Sequence, residues 1–158
     1  MYYHGTCFGD LIIEEGTIKP TTAETIVYGE DQGSFATTDG FIYLATDTYA
    51  AADFSARAYG SLYEQQKSLS GYIHIFECDI GELEEYKDID ELKLEALDPN
   101  KLSLEEAKSK TKTLRVKGNL KIGEHVKRYK KFEVENISQI YSLIRTGWSL
   151  SPPISVRK

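Results

Sequence analysis

Cysteine is nearly absent from this sequence. Cys7 and Cys78 are the only two, too few for a disulfide framework. Neither Cys-x-x-Cys nor His-Glu-x-x-His occurs, so no metal site is announced by ligand spacing. Long apolar runs are missing too, and none approaches the roughly eighteen residues of a membrane span. The opening Met-Tyr-Tyr-His-Gly lacks the basic and apolar segments of a secretion signal. These absences predict a protein of a reducing compartment, the cytoplasm, with no membrane partner and no metal. The usual nucleotide signatures also fail. There is no Gly-x-Gly-x-x-Gly and no Gly-x-x-x-x-Gly-Lys-Ser/Thr, which removes the Rossmann and P-loop phosphate sites. Without Gly-x-Ser-x-Gly there is no nucleophile elbow of the α/β-hydrolase kind.

What is present fits one globular domain. The chain has 158 residues, of which 41% are hydrophobic and 28% charged, enough apolar content for a packed core and too much for a disordered chain. The domain is expected over residues 1–148, with 149–158 a tail that Pro152 and Pro153 keep irregular. The net charge of −6 is unevenly spread. Between Glu77 and Glu106, twelve acidic side chains stand against three basic ones; between Lys108 and Lys131, ten Lys or Arg stand against the single acid Glu124. Such a basic stretch is either a solvated face or a holder of phosphates. The overall acidity argues against a general nucleic-acid coat but leaves a local phosphate site open.

Element signals run unevenly along the chain. Tyr2–Thr6 reads as a short strand, and Leu11–Gly16 as a brief helix closed by its glycine. Gly29–Gly40 has the turn chemistry of a loop, and Phe41–Ala45 is apolar and β-prone. Thr46 or Asp47 suits an N-cap, opening an Ala-rich helix to about Gln66. On it, Ala50, Ala51, Phe54 and Ala58 share one face, and small residues there predict close approach to a sheet. Gly71–Ile80 reads as a strand, and Ser103 with Glu106 as a capping box. Thr113–Val116, Glu124–Val126, Phe132–Val134 and Ile137–Leu143 are expected as further strands. Helices early and strands late, without regular βαβ alternation, predict an α+β fold.

Two short segments carry chemistry. In Tyr2-Tyr3-His4-Gly5-Thr6 an imidazole stands beside a glycine whose missing Cβ lets a ligand approach the backbone. Alone, a His-Gly pair is as readily a core histidine satisfied by a carbonyl. In Gly40-Phe41-Ile42-Tyr43-Leu44-Ala45-Thr46 an aromatic ring precedes the long helix, where Phe54 can supply a second wall of a slot for a planar ligand. Alone, Tyr43 is as readily a core residue.

Together these segments resemble the ADP-ribosyltransferase family in its His-Tyr-Glu branch. That branch includes poly-ADP-ribose polymerases, diphtheria-like toxins and compact bacterial members such as the rifamycin ADP-ribosyltransferases. Leu11–Gly16 is similar to the family's short helix, Gly71–Glu77 to its central strand, and Ser109–Gly118 to its later Ser/Thr strand, so the likeness spans residues 2 to 143. It implies a split pair of bent antiparallel sheets with NAD, as co-substrate, in the cleft between them. His4 would bond a ribose hydroxyl and the Gly5 backbone the nicotinamide amide. Tyr43 and Phe54 would sandwich the nicotinamide ring, and Thr6 and Ala45 would complete the cofactor contacts. Where relatives carry a hydroxyl on the helix, this chain has Ala51. Arg115, or a nearby lysine, would meet the pyrophosphate through paired hydrogen bonds, and the rest of Lys108–Lys131 a phosphate-bearing acceptor.

Cleaving the nicotinamide–ribose bond builds oxocarbenium-like charge, the electronic problem that glycosidases face. One carboxylate near the ribose stabilises that charge and orients the incoming nucleophile. Glu124-His125-Val126, followed by Ile137-Ser138-Gln139-Ile140, matches the family layout best, so Glu124 ranks first, with His4 and Tyr43 as its partners. Glu84 or Glu85, just after the central strand as in the rifamycin-modifying relatives, ranks second, and Glu133 third. The implied activity is transfer of ADP-ribose from NAD to a protein, nucleic acid or small molecule, with nicotinamide released. An NAD glycohydrolase and an RNA 2′-phosphotransferase are alternatives on the same fold, though Arg57 and Arg128 suit the latter poorly. A non-enzymatic NAD- or partner-binding module is the alternative outside enzymes.

Overall fold

The computed structural model describes residues 1–21, 40–64, 71–134, 137–150 and 152–156. The loop expected over Gly29–Gly40 lies, up to residue 39, outside the described residues, as do the last two residues expected of the long helix. In chain order the elements are β1 (Tyr2–Thr6), α1 (Gly9–Glu15), β2 (Thr17–Ile18), β3 (Ile42–Ala45), α2 (Thr48–Glu64), β4 (Tyr72–Cys78) and β5 (Glu85–Tyr86). They continue with α3 (Ile89–Leu94), a 3-10 turn at Pro99–Lys101, α4 (Leu104–Thr111), β6 (Thr113–Val116), β7 (Leu120–Lys121), β8 (Val126–Glu133), α5 (Ile137–Leu150) and β9 (Ile154–Ser155). A seven-stranded sheet has the order β5-β6-β3-β1-β4-β8-β9, and β2 pairs with β7 in a second, two-stranded sheet. Every named ladder is antiparallel. The fold is therefore mixed α and β with antiparallel sheets, as the order of elements predicts.

Local chemistry accounts for the helix ends. Gly16 closes α1 in the left-handed region at φ 76°, donating to the Ile12 carbonyl. Asp47 accepts from the Ala50 N–H at 2.7 Å, which makes it, rather than Thr46, the cap of α2. Ser103 and Glu106 form the expected capping box of α4.

Each face of the large sheet buries its own cluster. On one, α2 and α5 cover Ala45, Ile73, Ile75, Phe132 and Val134, with Ala51, Ala52 and Ile144 supplied by the helices. The other buries Ile42, Leu44, Phe76, Leu114, Val116 and Val126, with Ile18 and Leu120 from the small sheet and Ile12 and Ile13 from α1. Complete burial of a side chain such as Phe76 contributes about 2–3 kcal/mol. Both cysteines are buried free thiols, and burial pushes the Cys7 thiol up to about 12.

Four expectations are corrected. Glu124 and His125 are a turn, not the start of a strand: Gly123 sits at φ 89°, and the His125 Nδ1 accepts from the Lys121 N–H at 3.0 Å. Strand β8 begins only at Val126 and runs unbroken through the expected Phe132. Ile137–Leu143 is the first half of helix α5; Ile137, Ile140, Tyr141 and Ile144 fall at i, i+3, i+4 and i+7, a helical repeat that outweighs their β-branching. The tail is not irregular throughout. Ile154 and Ser155 pair with Tyr129 and Arg128, since Pro152 and Pro153 precede the pairing residues and take no donor from the ladder. Finally, the two antiparallel sheets are unequal, seven strands against two, and within the larger one β1 and β3 share a single pair, described next.

Candidate functional site: the β1–β3 seam

Strand β1 is central, and its two neighbours treat it differently. Along β4 all five residues are in register, from Tyr2 opposite Cys78 to Thr6 opposite His74. Along β3 there is one pair, Tyr3 opposite Ala45. Beyond it the strands part, beside His4 and Gly5 on one side and Tyr43 on the other. Helix α2 lies directly over this point. A Cβ on Gly5 would stand 2.1 Å from the Ala51 carbonyl oxygen and 2.3 Å from Ser55 Oγ, so only glycine lets helix and strand come this close. The alanine face of α2 does what its small residues predict.

His4 spans the seam. Its Nδ1 lies 2.9 Å from the Tyr43 carbonyl oxygen, and since a carbonyl only accepts, Nδ1 carries the proton. Burial lowers the pKa of this imidazole, with the Tyr43 carbonyl acting in the opposite sense. The neutral ring therefore offers Nε2 as an acceptor, suited to a hydroxyl donor.

Register assigns the two rings to opposite faces. Tyr2, His4 and Thr6 stand opposite Cys78, Phe76 and His74, on the face of the Phe76 cluster. Tyr43 stands opposite Arg115 and alternates with the buried Ile42 and Leu44, so it belongs to the α2 face. The chain brings the two residues into contact through the Tyr43 backbone, not by stacking their rings in one pocket. A ligand touching both must lie in the seam, the gap between faces.

On the α2 face, the Tyr43 hydroxyl donates to the Asp90 carboxylate of α3. Phe54 lies beneath the Arg57 guanidinium, 5.0 Å from its ring centroid, and Arg57 reaches Glu91 of α3 at 2.6 Å. Thus α3 ties to both expected walls of the slot. Ala45 is fully buried. Arg115 is buried as well: Nε donates to the Lys87 carbonyl at 2.7 Å, the guanidinium stacks on Phe41 at 3.9 Å, and Nη1 has no partner among the described residues. It braces β5 and β6 rather than standing open to solvent. Thr6 is occupied locally, its Oγ1 accepting from the Phe8 N–H at 3.0 Å.

On the His4 face stands a group that sequence reasoning only half found. Glu85 Oε1 accepts from the Tyr2 hydroxyl and, at 2.7 Å, from Lys108 Nζ, which also donates to the Tyr2 oxygen at 2.7 Å. Strands β6 and β3 stand between β5 and β1 in the sheet, so this contact requires the sheet to coil toward the His4 face. Burial alone would raise the Glu85 carboxyl; the Lys108 and Tyr2 hydrogen bonds outweigh it and hold it below the usual range. Burial would lower the Lys108 ammonium, and its hydrogen bonds to Glu85 and Tyr2 raise it instead. Tyr2 and Lys108 carry no sequence signal, because 106 positions separate them and only the fold joins them.

The other candidate acids stand apart. Glu124 is exposed in its turn, its described partner Lys121 at 3.8 Å; neither it nor Glu85 has a described contact with His4 or Tyr43. Glu84 is exposed and accepts from the Tyr86 hydroxyl at 3.0 Å. Glu133 is exposed near the end of β8, opposite Tyr72. The basic stretch does not form one strip, being spread over α4, β6, β7 and β8. Much of it is already paired: Lys108 with Glu85, Arg128 with Glu77, and Lys131 with Asp10. Among the described residues no group of three or more His, Cys, Asp or Glu is placed to hold a metal ion, and no helix is long and apolar enough to cross a membrane.

No protein-family model matches this chain, and no curated protein matches it.

Proposed function

We propose that the chain transfers ADP-ribose from NAD to an acceptor, releasing nicotinamide, with the dinucleotide held in the β1–β3 seam. The observation that carries this reading is the seam itself: β1 leaves β3 after one pair, with a glycine and a neutral imidazole at the opening. Strands that part leave backbone donors and acceptors for a ligand amide, and Gly5, having no Cβ, seats α2 directly over the opening. His4 Nε2 accepts from a ribose hydroxyl. Tyr43 and Phe54, both on the α2 side, flank the nicotinamide, its ribose lies in the gap and faces the His4 side, and the adenosine half continues on that side.

The reaction breaks the bond between ribose C1′ and the pyridinium nitrogen, and the bonding pair leaves with nicotinamide, which departs neutral. The acceptor's lone pair forms the new bond to C1′, and its proton passes to the carboxylate or to water. Glu85 is the carboxylate best supported for this work. It shares the His4 face, it is held ionised, and it is less exposed than Glu124, at 28% of its side chain against 55%. An acid kept ionised in a partly dry site stabilises developing positive charge more strongly than one in open water.

The test is mass spectrometry after incubating the protein with NAD, with and without cell extract. Nicotinamide release with a mass increase of one ADP-ribose on an extract component supports transfer. Release that is independent of extract, with free ADP-ribose as product, moves the reading to a glycohydrolase. No release under either condition refutes it.

A further inference from the structure

We propose that Lys108 and Tyr2 are positioning residues that clamp the Glu85 carboxylate through one of its oxygens and leave the other for the reacting centre. Both donors converge on Oε1, and Oε2 has no partner among the described residues. Two donors on one oxygen fix the direction of the carboxylate and leave Oε2 facing away from them. A carboxylate that must present one oxygen in a fixed direction gains a great deal, because orientation lost at a reacting group is costly.

The clamp supplies what the local structure lacks. Glu85 opens a strand of two residues at the edge of the sheet, paired on one side only, with Val116 opposite it. Short edge strands hold their side chains poorly. Lys108, from the last turn of α4, and Tyr2, from the start of the central strand, tie that edge back to those two elements. Lys108 is itself well covered, with 12% of its side chain exposed, and its Nζ lies 5.1 Å from the centre of the Tyr2 ring. The ammonium is thus fixed between a ring face, a hydroxyl and a carboxylate. The charged groups facing Glu85 are Lys108 from α4 and the chain's own amino terminus beside β1, with the Tyr2 hydroxyl from β1. Glu105 on α4 competes for Lys108 at 3.4 Å, but it is exposed and its bond is the longer one. Loss of Lys108 leaves the carboxylate partly buried beside a phenol, with burial then dominating its titration.

The catalytic half of this proposal rests on the NAD reading above; the clamp rests on geometry alone. The experiment compares the full chain with Lys108→Met, Lys108→Arg and Tyr2→Phe. Two readouts are followed: the pH profile of nicotinamide release, resolved into kcat and KM for NAD, and the titration of the Glu85 side-chain carboxyl by carbon-13 NMR. Lys108→Met is expected to lower kcat about ten- to a hundred-fold with KM for NAD nearly unchanged. It also moves both the acid limb of the profile and the Glu85 titration toward neutral pH. Lys108→Arg restores most of both. Tyr2→Phe keeps the ring and removes only the hydroxyl, so it lowers kcat by a smaller factor and covers the case in which Lys108→Met does not fold. A Glu85 titration identical in all four proteins overturns the clamp. A loss confined to KM overturns the positioning role. No nicotinamide release by the unaltered protein at any pH overturns the NAD reading and the catalytic half with it, while the NMR titration still decides the clamp.

Discussion

Acid should destabilise this protein through one residue in particular, His74. The ring is 1% exposed in the middle of β4, stacked on Phe76 at 5.7 Å between centroids, and neither nitrogen has a hydrogen-bond partner among the described residues. Gly9 of α1 lies so close that a Cβ there would be 2.0 Å from the ring. Asp10 Oδ1 stands 3.5 Å from Nε2, but it is exposed and already bonded to Lys131 at 3.0 Å. Burial therefore dominates and pushes the imidazole down from 6.5 to about 4, with Asp10 pulling the other way. The unfolded chain takes up this proton as pH falls through about 6.5, whereas the folded chain resists until about 4. Stability is whole above the upper value and declines between the two. The full difference is about 3 kcal/mol, and most of it, about 2 kcal/mol, is lost between pH 7 and 4.5. His74→Phe removes the titration and keeps an aromatic ring against Phe76. Urea unfolding followed by circular dichroism at the two pH values measures the effect. The unaltered protein should lose about 2 kcal/mol more than the variant over that interval, whatever fixed cost the substitution carries. Equal losses in the two proteins would refute the assignment, because every other acid group titrates alike in both.

Three further outcomes are expected. Gly5→Ala forces a methyl group against the Ala51 carbonyl and should cost about 1–3 kcal/mol by thermal or urea unfolding, with NAD affinity falling alongside; unchanged stability would show that α2 does not seat on β1 as described. Asp88, fully buried at the start of α3, has its carboxyl pushed up from 3.8 to about 6 by burial, so the unfolded chain releases this proton first and stability declines as pH rises between those two values; Asp88→Asn keeps an acceptor for the Glu91 N–H, and its stability relative to the unaltered protein should be about 2–3 kcal/mol more favourable at pH 8 than at pH 3.5, a difference equal at the two pH values contradicting this. Glu85→Gln should cut nicotinamide release by about a hundred- to ten-thousand-fold while sparing NAD binding, and Glu124→Gln should leave it near the unaltered rate; the reverse pattern would return the chemistry to the turn before β8.

Much of the scaffold is legible from local rules. The Gly16 stop, the Asp47 cap and the Ser103–Glu106 box each satisfy a helix end within a few residues, so their signals are complete in the sequence. The β-prone run Tyr72 to Cys78, buried on both faces, is likewise read as a strand from its own composition. Misreadings fall where two local rules compete. Ile137 to Leu143 is rich in β-branched and aromatic residues yet spaced as a helix, and the apolar face of α2 provides the surface that lets the helical spacing prevail. In the candidate site, Gly5 and the alanines of α2 are legible because close approach demands small residues whatever the partner.

The sequence by itself determined the capped ends of α1, α2 and α4 and that His4 and Tyr43 stand on separate strands; that the glycine of β1 makes room for a helix, where the sequence suggested a ligand, came from the fold. Only the tertiary structure decided that β1 and β3 part after one pair, that the His4 and Tyr43 rings leave opposite faces, and that Glu85, not Glu124, meets a lysine and a tyrosine on the His4 face. Caps and periodicity act over one or two turns of chain, so they are written locally. The coil that carries an edge strand back to the centre of its own sheet is the sum of twist along every strand between, and no short stretch of residues encodes it.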